Sequence, residues 1–83
     1  MSTHRNDSLN WSEMSVEDIL KLAIADEEEA EEYYRRAAGC VGELHTRRVL
    51  LKLSEMEKGH AEELRKELDE LLLQREMGAG LAD

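Results

Sequence analysis

The chain has 83 residues, 37% of them charged and 41% hydrophobic, with no Pro, no Phe and a net charge of −9. That length allows at most one domain, and the acid excess excludes nucleic acid as a partner, because the phosphate backbone would repel it. No apolar run approaches a membrane span, and the single Cys40 cannot form an intrachain disulfide, which suits a reducing compartment.

Glu, Leu, Ala, Lys and Arg dominate, a mix that favours long helices. So short a chain builds only a thin core alone, so a metal or a partner is expected to stabilise it. The start, Met1-Ser2-Thr3-His4-Arg5-Asn6-Asp7, is polar and has no apolar signal region, and the expectation is a soluble, cytoplasmic protein.

Residues 1–14 show no period and read as a flexible arm, with Trp11 free to pack on the body or to fill a partner's pocket. Ser15-Val16-Glu17-Asp18 has the shape of a capping box, a Ser followed three residues later by an acid. Helix 1 starts there and runs through Ile19, Leu20, Ala23, Ala30, Tyr34 and Ala37. Gly39-Cys40-Val41-Gly42 ends it, with the glycines expected to supply left-handed backbone. Helix 2 follows from about Glu43 to about Glu76, with apolar members Val49, Leu50, Leu53, Met56, Leu64, Leu68, Leu71 and Leu72. Residues 77–83 read as a flexible tail by composition.

Two long helices and a short loop make an all-α antiparallel hairpin over residues 15–76. Nothing else in the chain covers its apolar face. Two hairpins face to face make a four-helix bundle, so a homodimer is expected, with dimerisation part of folding.

Both helices interrupt their apolar rows with metal-ligand residue types. In helix 1 the three-four spacing Ile19, Leu20, Ala23 passes to Glu27 before Ala30 and Tyr34. In helix 2 the row Val49, Leu50, Leu53 passes to Glu57 and His60 before Leu64 and Leu68. Glu27 lies about as far before the turn as Glu57 lies after it, so at about 1.5 Å per residue the two fall within about one helical turn of the same level. A carboxylate in an apolar seam must be protonated, paired or metal-bound. Carboxylate oxygens with an imidazole suit a first-row transition metal.

One chain offers Glu27, Glu57 and His60, and two chains double the set. That is the ligand pattern of a di-iron carboxylate site: one Glu from each of two helices and Glu-x-x-His from each of the others. The spacing puts Glu57 and His60 on one helix face. Alone the motif is weak, since with 15 Glu and 3 His chance gives roughly 0.5 matches; its position on the seam, opposite Glu27, carries the weight.

Asp26 and Glu29 flank Glu27 off the seam and either gather cations at the entrance to the site or belong to a plain acidic face. Tyr34, seven residues after Glu27, either hydrogen-bonds or is oxidised near the metals, or packs in the core. No Gly-rich phosphate loop, Cys-x-x-Cys pair or Ser-His-Asp arrangement is present.

The residues Ala23-Ile24-Ala25-Asp26-Glu27-Glu28-Glu29-Ala30-Glu31-Glu32-Tyr33-Tyr34, then Glu57-Lys58-Gly59-His60-Ala61, resemble the ferritin-like superfamily. Within it the chain is similar to the encapsulated ferritins, short two-helix ferroxidases, over about residues 16–68. The family often has Trp where Tyr33 stands, and its encapsulated members carry a further C-terminal helix and a targeting peptide. The resemblance implies metal ligands at Glu27, Glu57 and His60, entrance carboxylates at Asp26 and Glu29, and a site tyrosine at Tyr34. It implies dimers around a di-iron centre, a higher ring such as a decamer, oxidation of Fe(II) to Fe(III), and delivery of iron to an encapsulin shell. Zn, Mn or Ca are the substitutes for iron. Two other functions fit the same residues: a metal-stapled structural module presenting an acidic face, and a rubrerythrin-like peroxide reductase, although no Cys cluster for electron transfer is visible.

Overall fold

The structure, a computed structural model, describes residues 10–82, with side chains through Gly78. A short 3-10 turn, Trp11–Glu13, leads into helix α1, Val16–Cys40, and then helix α2, Leu44–Ala82. The part of the expected arm in residues 1–9 lies outside the described residues; Trp11 itself is 45% exposed.

Each helix starts where a side chain can satisfy its free amides. Ser15 is extended, and its Oγ accepts from the Asp18 amide at 3.0 Å, closing one of the donors that the first turn leaves open. At the second start Glu43 does the same work with both oxygens. Its Oε1 accepts from the Thr46 amide at 2.7 Å and from the Thr46 hydroxyl at 2.6 Å, and its Oε2 accepts from the His45 amide at 3.1 Å. These bonds hold the Glu43 carboxyl below its usual range, the Thr46 hydroxyl contributing most.

The turn between the helices departs from the sequence expectation. Neither Gly39 nor Gly42 takes left-handed backbone. Instead α1 runs on through Gly39 to Cys40, and Val41 is extended, with its amide donating to the Ala38 carbonyl. Arg47 Nε donates to the Val41 carbonyl at 3.0 Å, so a side chain from α2 pins the corner. An extended residue reverses the chain here without a positive φ.

Helix α2 also passes its expected end near Glu76 and continues to Ala82, so residues 77–82 are helical rather than a separate tail. No proline stops it, and Met77, Ala79, Leu81 and Ala82 are adequate helix formers, which offsets part of the cost of Gly78 and Gly80.

The two helices pack antiparallel in a layer measuring 61 × 27 × 12 Å. Its thickness is that of one helix, so among the described residues neither broad face of the layer carries a second layer. The buried apolar side chains among the described residues are Ile24 and three alanines, Ala30, Ala38 and Ala61, and no large side chain is fully buried. Small residues let the helix axes come close. Ser54, also buried, donates its hydroxyl across the seam to the Glu31 carbonyl at 3.0 Å. Ion pairs between the helices fix the register: Arg75 to Glu17 at 2.8 Å near the open end of the hairpin, and Arg65 to Glu28 near its middle.

The seam row of α2 is therefore Leu50, Ser54, Glu57, Ala61, Leu64, Leu68 and Leu71, a regular four-three alternation. Val49, Leu53, Met56 and His60 form a second row beside it. Val49, Met56 and His60 in that row are exposed and Leu53 is half-buried, against the expectation that Val49 and His60 share the seam with Glu57.

Candidate metal centre

Glu27 projects from the middle of α1, and Glu57 and His60 from the middle of α2. Among the described residues they form a group in which each offers one ligand atom, all within 4.8 Å of one another. His60 Nδ1 lies 3.3 Å from Glu57 Oε1 and 3.5 Å from Glu27 Oε2. Helical spacing produces the first contact, because residues three apart share a face. Hairpin register produces the second.

The three are not equally covered. Glu57 sits in the seam, Glu27 at its margin, and His60 on the second row with about half of its side chain open to solvent. His60 is thus a lip of the site rather than a member of the core row.

Two carboxylates this close cannot both be charged at low cost. Burial pushes the Glu27 carboxyl up to about 7, helped by its hydrogen bond with Glu57, by the charge of Glu57 and by that of Asp26. Glu57 moves the other way, held below its usual range chiefly by that hydrogen bond and then by His60. The arrangement is an acid sharing its proton with a neighbouring carboxylate. A cation in the proton's place would satisfy both groups and the imidazole nitrogen. The donor set therefore fits a divalent first-row metal, but three donors are fewer than the full coordination shell such an ion takes in carboxylate sites.

The two expected entrance residues separate. Glu29 is exposed and lines a shallow groove on the outer side of α1 with Glu32, Tyr33, Arg36, Ala37 and Cys40. Asp26 is buried, 5% exposed, where the spacing had placed it off the seam. It stands four residues before buried Ala30, on the flank of α1 that adjoins Glu27. Tyr34 is half-buried and meets the Tyr33 ring edge-on, with centroids 5.4 Å apart.

The positions that the sequence reading missed are Ser54 and Ala61, while Ala30 is buried as its place in the helix 1 row predicts. They hold no metal, yet they bring the two backbones close enough for the carboxylates to meet. Their signal is in the sequence, since the four-three row from Leu50 to Leu71 is unbroken once Ser54, Glu57 and Ala61 count as members. A pattern of large apolar residues alone passes over them.

The rubrerythrin family model matches residues 7–79. The chain belongs to the rubrerythrin family. Membership implies a di-iron site, and the Glu27, Glu57 and His60 group supplies carboxylate and imidazole donors for one. It is consistent with a di-iron oxidoreductase. The match is to the rubrerythrin domain of the ferritin-like superfamily and carries no specific assignment to the encapsulated ferritins. No curated protein and no solved structure matches this family member closely enough to count as a relative. No helix among the described residues is long and apolar enough to cross a membrane.

Proposed function

We propose that the chain is a ferroxidase that oxidises Fe(II) to Fe(III) at a di-iron site formed between two copies. One observation carries this reading. Two carboxylates and an imidazole converge at the centre of the hairpin, on the margin of an apolar row that no other described residue covers.

Coordination supports the second copy. Three donors from one chain leave a metal open, whereas two chains supply four carboxylates and two imidazoles for two ions. Packing supports it too. The α2 row Val49, Leu53, Met56, His60 presents a face of the layer on which Val49 and Met56 stand exposed. A second hairpin on that face would cover Val49 and Met56 and bring its own His60 toward the site. A ring of such dimers and an encapsulin shell as the store for ferric iron belong to the same proposal.

The residues' roles follow from their chemistry. Glu57, in the seam, would hold metal through its carboxylate. Glu27 would give up its shared proton to a bound cation. His60, at the lip, would add the imidazole donor. Carboxylate donors favour the harder Fe(III) over Fe(II), which drives the oxidation.

Adding Fe(II) in air to the metal-free protein tests this. Ferric absorbance should rise faster than in buffer, and Glu57→Ala and His60→Ala should each abolish the acceleration. Metal bound stoichiometrically without oxidation would instead indicate a structural staple. Family membership favours one further reading, reduction of peroxide. Rapid oxidation of bound iron by peroxide, with no acceleration by dioxygen, would select it.

A further inference from the structure

The charge of the chain is not spread evenly along the hairpin. Residues 33–54, which span the turn, carry Arg35, Arg36, Arg47, Arg48 and Lys52 against the single acid Glu43, in a chain whose net charge is −9. The turn end is therefore cationic and the remainder strongly acidic. At physiological salt the screening length is about 8 Å, so a small anion at the turn senses the local excess rather than the total.

A cleft of about 300 Å³ opens there between the helices, lined by Arg35, Ala38 and Gly39 of α1 and by Arg47 and Leu51 of α2. Each helix thus contributes one guanidinium. Arg47 is held by its Nε, which donates to the neutral Val41 carbonyl at 3.0 Å, so its full charge and both terminal nitrogens remain for another acceptor. Arg35 pairs with Glu32, but Glu32 also serves Arg36, whose Nε lies 2.7 Å from Oε2, and the three keep one positive charge. Glu43 is committed to the His45 and Thr46 amides, so side chains rather than open helix amides give the cleft its charge. The remaining lining is small or apolar. A Cβ at Gly39 would meet nothing within 4 Å, and Leu51 is exposed.

We propose that this cleft binds the phosphate group of a small organic phosphate. A guanidinium is planar and offers paired N–H donors that match two phosphate oxygens. Arginines on two helices can therefore grip a tetrahedral anion from two sides, where a carboxylate, with two oxygens in one plane, matches one of them. The cleft has room for more than a bare anion and lies at the small end of the range for ligand sites, and Leu51 offers contact to an apolar arm. Other grooves lack this excess. Arg36 shares its groove with Glu29 and Glu32, and Arg65 and Lys66 share theirs with Glu62 and Asp69. Arg35 stands eight residues after Glu27 and Arg47 ten before Glu57, about 12–15 Å along the helices, so the site is separate from the metal group and does not depend on the iron reading.

The test titrates inorganic phosphate and phenyl phosphate into metal-free protein at constant ionic strength, followed by amide NMR and calorimetry. Both should bind saturably, with the Gly39 and Arg47 amides shifting, and phenyl phosphate should bind more tightly. Arg35→Gln should weaken binding by about tenfold or more, the loss of one charge-assisted pair. Leu51→Glu exchanges one good helix former for another and sets a carboxylate in the cleft, so it should weaken binding at least as much while the fold is kept. Lys66→Gln changes the net charge as Arg35→Gln does and should bind as the wild type. Equal affinity for the two ligands would overturn the organic ligand and assign the cleft to inorganic phosphate. No saturable binding of either, or equal weakening by Lys66→Gln, would overturn the site.

Discussion

Glu27 and His60 lie on antiparallel helices, yet Oε2 of one is 3.5 Å from Nδ1 of the other. The contact exists only because the hairpin register sets the middle of α1 against the middle of α2. Loss of either partner should remove a metal ligand. Since outer partners of metal ligands already cost about 10–100-fold in affinity when removed, His60→Ala and Glu27→Ala should exceed that loss. Competition with a chelator of known affinity measures it, and unchanged binding would exclude these residues as ligands.

The Glu27 carboxyl gives metal-free protein a distinct pH dependence. Its folded value near 7 lies above its ordinary value of 4.5. Between those values the unfolded chain has lost this proton while the folded chain keeps it, so stability must fall as pH rises through that window. Glu57, shifted down by its hydrogen bond, loses its own contribution only on the acid side. The thermal midpoint of metal-free protein should therefore drop from about pH 5 to about pH 7. Glu27→Gln should flatten that slope, and so should saturating divalent metal. A midpoint that rises over the same range would contradict the shared proton.

Ala61 is 1% exposed and stands one turn after Glu57 in the seam. Ala61→Leu would insert bulk into the buried seam between the helices. Overpacking of this kind costs about 1–3 kcal/mol, and it should also separate the carboxylates. Urea unfolding and metal titration should fall together. A destabilised variant with full metal affinity would show that the close approach is not what assembles the site.

Ser54→Ala removes the bond to the Glu31 carbonyl and should cost about 1 kcal/mol. Gly59→Ala should act in the opposite sense. A methyl group at Gly59 would meet nothing within 4 Å, and exchanging a mid-helix glycine for alanine is worth about 0.5–1 kcal/mol. Chemical denaturation of the two variants against the wild type separates the signs. Destabilisation by Gly59→Ala would reveal a second chain packed against that backbone.

Much of this protein was legible before folding. The oxygen of Ser15 before an apolar period starts a helix wherever it stands, because the first turn has free amides to fill. The three-four repeat fixes two helices, and Glu27, Glu57 and His60 stand out because their types conflict with the rows around them. These properties are local, set by 3.6 residues per turn. What the tertiary structure decided is which row faces which. It put Ser54 and Ala61 into the seam and left Val49 exposed, moved His60 to the lip, buried Asp26 and turned the corner at an extended Val41. Two rows separated by one residue are nearly equivalent in sequence, and only the approach of the other helix distinguishes them. Small side chains win the seam because carboxylates can meet across it only where the backbones come close.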